Sequence, residues 1–147
     1  MKVLIVYDSV YGNTAKIAKA LAVSIPGEAR VLRATEVGPS DLDGADLLVV
    51  GSPTHDGRPT PAVMDFIGGI PDSGTGKLSA AAFDTRQSSV LGGIFGRAAG
   101  EIAASLRIKG IRVVASEGFL VEGREGPLRQ GEQERAMAWA NDLTSRN

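Results

Sequence analysis

Five short apolar runs govern what this chain can become. Four are strong, at residues 3–7, 47–50, 80–83 and 111–115, and a weaker one at 29–32 lies between the first two. They are mostly continuous rather than alternating, as strands buried on both faces of a parallel sheet are. Segments of helical spacing separate them. Residues 14–24 set Ile17, Ala18, Leu21 and Ala22 on one stripe and stop at Pro26-Gly27. Residues 62–68 follow Pro61, which suits a first helical turn. Residues 98–108 present Ile102, Leu106 and Ile108, and residues 131–145 present Ala136, Met137, Trp139, Ala140 and Leu143. The order strand–helix, strand, then strand–helix three times predicts an alternating α/β fold with right-handed crossovers. Without an internal linker or repeat, residues 1–147 are expected to form a single domain.

Composition excludes several classes of function. A formal net charge of −1 gives no basic footprint for nucleic acid or for an anionic membrane surface. Aromatic residues are only 5%, too few for a base-stacking platform. There is no cysteine, so disulfides and thiolate-held metals are excluded, and the chain is expected to be cytoplasmic. No apolar stretch approaches the ~20 residues that span a bilayer. The single histidine, His55, has no partner for a metal site and none for a Ser-His-Asp set.

Open parallel sheets bind ligands beyond the carboxyl ends of their strands. The loop after the first strand, Asp8-Ser9-Val10-Tyr11-Gly12-Asn13-Thr14, runs straight into a helix. Its hydroxyls, its amide and the unpaired N–H groups of the first helical turn suit a phosphate. It contains no Lys or Arg, so neutral donors would hold that group. The other reading is that Ser9 or Asn13 simply caps the helix. Gly74-Thr75-Gly76-Lys77 hints at a nucleotide phosphate loop, but Pro71 stands where the earlier glycine is needed and Leu78 where a magnesium-binding hydroxyl is needed. An acidic pair after the first strand, as in a phosphorylated receiver domain, is missing too.

The stretch Ser9-Val10-Tyr11-Gly12-Asn13-Thr14 resembles the phosphate-loop signature of the flavodoxin family, Ser/Thr-x-Thr-Gly-x-Thr, with Tyr11 at the middle threonine. Gly51-Ser52-Pro53-Thr54-His55-Asp56-Gly57 is similar to that family's second flavin loop, and Phe83-Asp84-Thr85-Arg86-Gln87 occupies the place of the third. Gly126-Pro127-Leu128, Gly131-Glu132 and Trp139 add to the likeness, which spans essentially the whole chain in its short form. The resemblance implies a three-layer α/β sandwich with a five-stranded parallel sheet in the order 2-1-3-4-5. It also implies one FMN and a cofactor site at Ser9, Val10, Tyr11, Gly12, Asn13, Thr14, Pro53, Thr54, His55, Asp56, Gly57, Asp84, Thr85, Arg86 and Gln87.

By the same resemblance His55 would face the flavin ring and the Asp56–Gly57 peptide would meet flavin N5. Glycine suits that place because one form of the turn needs a positive φ. Two departures stand out. Residues 85–94 hold no aromatic side chain for the outer ring face, leaving Arg86, Gln87 or Leu91 as its cover, with Phe95 expected in the core. The charge is near neutral, with Arg58 and Arg86 expected near the ring. The function implied is a monomeric electron carrier between a reductase and acceptor proteins. The alternative is an NAD(P)H-dependent FMN or quinone reductase, or a protoporphyrinogen-oxidising enzyme, of the same fold.

Overall fold

Residues 1–71, 76–88 and 97–146 are described in the computed structural model of this chain. The strands are β1 (Lys2–Tyr7), β2 (Glu28–Arg33), β3 (Leu47–Pro53), β4 (Ser79–Gln87) and β5 (Arg112–Val121). The helices are α1 (Asn13–Ser24), α2 (Pro61–Gly68), α3 (Ala98–Ile108) and α4 (Glu132–Arg146), with one 3-10 turn at Ala34–Glu36. All five strands run parallel in the order β2-β1-β3-β4-β5. The expected architecture is therefore the observed one.

Successive side chains of a strand face opposite sides of the sheet, and here both sides are apolar. Val3, Ile5, Leu47, Val49, Ala81 and Phe83 pack with Ile17, Ala18 and Leu21 of α1 and with Ala136, Trp139 and Leu143 of α4. Their neighbours Leu4, Val6, Leu48, Val50, Ala80 and Ala82 pack with Val63 and Ile67 of α2 and with Ile102 and Leu106 of α3. Ala80 and Ala82 of β4 share this second core with Ala99 and Ala103 of α3, small side chains on both partners that let helix and strand approach closely. Phe83, Phe119 and Trp139 meet edge to face, with centroids 6.0–6.4 Å apart.

Two side chains expected inside lie outside. Ile108 is 82% exposed, because two positions past Leu106 is about 200° around a helix. Met137 is 37% exposed, one step off the stripe formed by Ala136, Trp139, Ala140 and Leu143. Among the described residues no helix is long and apolar enough to cross a membrane. Gly74, Thr75, Leu91 and Phe95 lie outside the described residues.

The outer edge of β5 is closed by side chains of α4. Glu132 accepts the Leu120 N–H at 2.6 Å, and Arg135 donates to the Gly118 carbonyl while pairing with Glu132 and Glu117. The Arg135 guanidinium also lies 4.6 Å from the Phe119 ring centroid. An unpaired strand edge is thereby blunted. The Arg135 hydrogen bond, helped by the Leu120 N–H and opposed by burial, holds the Glu132 carboxyl below its ordinary value of 4.5. A lowered native pKa contributes stability that is complete above 4.5 and fades as pH falls through the native value. Glu132→Gln is therefore expected to cost about 2 kcal/mol at neutral pH. In urea unfolding across a pH series, the gap between parent and variant should narrow progressively below the ordinary carboxylate range.

Candidate functional site

The chain reverses its direction across the sheet between β1 and β3. The carboxyl ends of β1, β3 and β4 open there into one cavity of about 600 Å³. All of the expected cofactor residues line it except Gly12 and Asp84.

The first wall is the loop from β1 to α1, and Ser9 organises it. The Ser9 hydroxyl accepts the N–H groups of Gly12 at 3.1 Å and Ala15 at 3.3 Å, so it caps the first turn of α1 from within the loop. Asn13 is no cap. Its side-chain amide donates to the Glu125 carbonyl at 3.1 Å, in the loop that follows β5. Gly12 takes a left-handed φ of 94° and directs the chain into the helix without lining the cavity. Among the described residues the backbone N–H groups of Val10, Tyr11, Asn13 and Thr14 meet no acceptor. Four free donors at the positive end of a helix dipole are a fitting seat for a phosphate. Arg33 lies behind the loop, 3.3 Å from the Ser9 carbonyl and 3.8 Å from the Asp8 carboxylate, and does not line the cavity.

The second wall is a tight hairpin. Gly51, Ser52 and Pro53 continue β3 rather than forming a loop, and the turn begins beyond them. His55 and Arg58 exchange both backbone hydrogen bonds at 2.9 Å around Asp56 and Gly57. Both central residues have positive φ, 53° and 79°, as a type I′ turn requires. The Asp56–Gly57 peptide thus sits in a two-residue turn at the cavity. Arg58 pairs with Glu101 at 3.2 Å and is not among the lining residues, contrary to its expected place near the ring.

The third wall is a strand end, not the expected loop, because Asp84, Thr85, Arg86 and Gln87 are the last residues of β4. The Thr85 carbonyl accepts the Thr54 N–H at 2.9 Å, and the Thr85 hydroxyl meets that of Thr14 at 2.8 Å. Asp84 is wholly buried and forms neither a turn nor part of the cavity lining. It grips Arg86 through two hydrogen bonds of 2.6 and 3.0 Å and accepts the Ala99 N–H of α3 at 2.9 Å. The Arg86 guanidinium fills the space over Gly118, where an added Cβ would come within 2.1 Å of it.

The sequence profile of the family Flavodoxin matches residues 5–139. This chain belongs to the flavodoxin family. FMN is that family's cofactor and therefore the cofactor of this chain, whose role is FMN-based electron transfer. No curated protein matches the chain in sequence. In fold it is similar to oxidised Flavodoxin 1 from Bacillus cereus, at 19% identity and a TM-score of 0.78, covering 100% of this chain and 99% of that one. A flavodoxin from the domain Archaea is similar at 22% identity and a TM-score of 0.73, covering 99% and 98%. Rubredoxin oxygen:oxidoreductase from Desulfovibrio gigas contains the same fold at 22% identity and a TM-score of 0.75, with 99% of this chain spanning 35% of that one.

The structure also brings Arg97, Val121 and Arg124 to the cavity of this flavodoxin-family chain, and sequence reasoning had named none of them. Arg97 directly precedes α3, whose first N–H, from Ala98, reaches the Thr54 hydroxyl at 3.4 Å. Arg124 sits in the segment 122–127, which reads in sequence as an ordinary surface loop. The usable signal was topological, since this loop follows the fifth strand at the same end of the sheet as the other three. Asp84→Ala is expected to lower stability by about 3 kcal/mol, because it strands a mostly buried guanidinium without its carboxylate. Urea unfolding of the apoprotein measures this directly.

Proposed function

We propose that this chain works as a single FMN-carrying domain that passes electrons one at a time between a reductase and acceptor proteins. In this reading the phosphate sits against the free N–H groups of Val10, Tyr11, Asn13 and Thr14, with the Ser9 and Thr14 hydroxyls beside it. The ring lies between the second and third walls, at His55, Asp56, Gly57, Thr85, Arg86 and Gln87. The carrying observation is that the three segments singled out by the family resemblance converge on one cavity whose donors at one end match a dianion.

Bound FMN supplies the redox chemistry, and the chain supplies placement, hydrogen bonding and charge. The Asp56–Gly57 turn offers a backbone peptide at the cavity whose N–H or carbonyl can meet the ring edge. His55 offers an imidazole that can lie against the ring. Arg86 carries little net charge to the ring because Asp84 already neutralises it. No general acid or base is required for such transfer.

Two measurements test this reading. An anaerobic reductive titration is expected to resolve two one-electron steps, and the protein should not oxidise NAD(P)H unaided. A single two-electron bleaching, or unaided NAD(P)H oxidation with a quinone acceptor, would contradict it. Removing the two hydroxyls with Ser9→Ala and Thr14→Ala together should weaken FMN binding about a hundredfold, since each hydroxyl bonds a charged group or orders the loop that does. Fluorescence quenching on titrating the apoprotein with FMN reports the change, and unaltered affinity would refute the phosphate seat.

A further inference from the structure

We infer that Arg124 is the cation that makes this site select a phosphorylated flavin over an unphosphorylated one. The inference rests on the proposed seating of the phosphate in the loop from β1 to α1, and it concerns a residue from the opposite end of the chain.

Four observations carry it. Arg124 lines the same cavity as Ser9, Asn13 and Thr14. Its loop is docked on the start of α1, because the next residue, Glu125, accepts the Asn13 side-chain amide at 3.1 Å. One residue further on, Gly126 lies so close to that amide that an added Cβ would come within 2.7 Å of it. The backbone is held where it stands by the Glu122 N–H to the Pro127 carbonyl at 2.8 Å, the Gly126 N–H to the Gly123 carbonyl at 3.1 Å, and the Arg129 N–H to the Leu120 carbonyl at 2.9 Å. Finally, Arg124 forms no ion pair or hydrogen bond with any described residue, whereas Glu122 of the same loop is engaged by Arg129 at 3.7 Å.

Charge accounting around the loop points the same way. The loop from β1 to α1 has no basic residue, and the cation behind it, Arg33, is shared with Asp8 and stacked on Tyr7. Arg86 is committed to Asp84, and Arg97 lines the cavity from the start of α3, the helix whose Ala98 N–H meets the Thr54 hydroxyl. Arg124 is the cavity-lining cation whose loop touches Asn13. A guanidinium can bind a phosphate through two parallel N–H donors, which neutral backbone amides complement rather than replace. Tethering its backbone reduces the ordering needed when the anion arrives.

The test compares FMN with riboflavin on the apoprotein, read by flavin fluorescence quenching. Arg124→Gln should weaken FMN about tenfold or more at low salt and leave riboflavin within about twofold. Arg124→Lys should restore part of the difference. Raising the salt concentration should erode the preference of the parent protein and barely change that of Arg124→Gln. Equal loss for both ligands, or no loss for either, would overturn the assignment of Arg124. If the parent apoprotein bound neither ligand, the underlying reading of the cavity as a flavin site would fail instead.

Discussion

Burial of the sheet on both faces is the constraint from which the site follows. A strand whose odd and even side chains both enter apolar cores has no room for chemistry along its length. Val3 to Tyr7, and Leu47 to Val50 beside them, are buried without exception. In the central strands polar groups are thereby confined to the ends. There the connections of β1 and β3 leave for opposite faces, since α1 packs on one side of the sheet and α2 on the other. The crevice between them is lined largely by turns, caps and backbone, and these can offer directed donors without disturbing either core.

What keeps that crevice in shape is a set of bonds from each wall to another. The loop after β1 reaches β4 through the Thr14 and Thr85 hydroxyls, and the turn after β3 reaches β4 through the Thr54 N–H. Asp84 fastens Arg86 and the first turn of α3 to the same strand end. Asn13 joins the start of α1 to the loop after β5. Every wall therefore leans on a neighbour that is itself anchored in the sheet. Such a cavity holds its donors in place before a ligand enters, which lowers the ordering that binding requires.

The features legible in the sequence were those encoded locally. Continuous apolar runs gave β1, β3 and β4, because two-sided burial leaves little choice of residue there, whereas β2, interrupted by Arg30 and nowhere fully buried, left a weaker signal. Pro61 and the small and polar residues around Gly12 marked helix starts. Asp56-Gly57 announced a turn that proves to need positive φ at both positions. The features not legible depend on what lies opposite in space. Asp84 reads as a cofactor contact until Arg86 and Ala99 are seen against it, which makes it a buried strut. Alanine carries weak strand preference, yet in β4 Ala80 and Ala82 share a core with Ala99 and Ala103 of α3, where small side chains let helix and strand approach. Arg58 was expected at the cavity, and Glu101, 43 residues away, draws it elsewhere. Arg124 was hidden for the same reason, since nothing local tells which loop meets which.

The distribution of charge also separates this chain's surface from its cavity. Overall the protein is nearly neutral, with a formal charge of −1. The lining nevertheless contains three arginines against one carboxylate, Asp56. Asp84 cancels Arg86 from beneath, so Arg97 and Arg124 set the sign of the field inside the cavity. Cavities with low-dielectric walls concentrate such a field, while the surface around them averages toward neutrality. Free N–H groups fix where an anion's oxygens rest but act only at contact. The two arginines act over a longer range and favour every negative charge placed in the cavity, whether it arrives with the ligand or develops on it later. On the proposed seating of the phosphate, directed neutral donors and long-range cations divide the work of holding an anionic cofactor, and the net charge of the whole chain reveals neither.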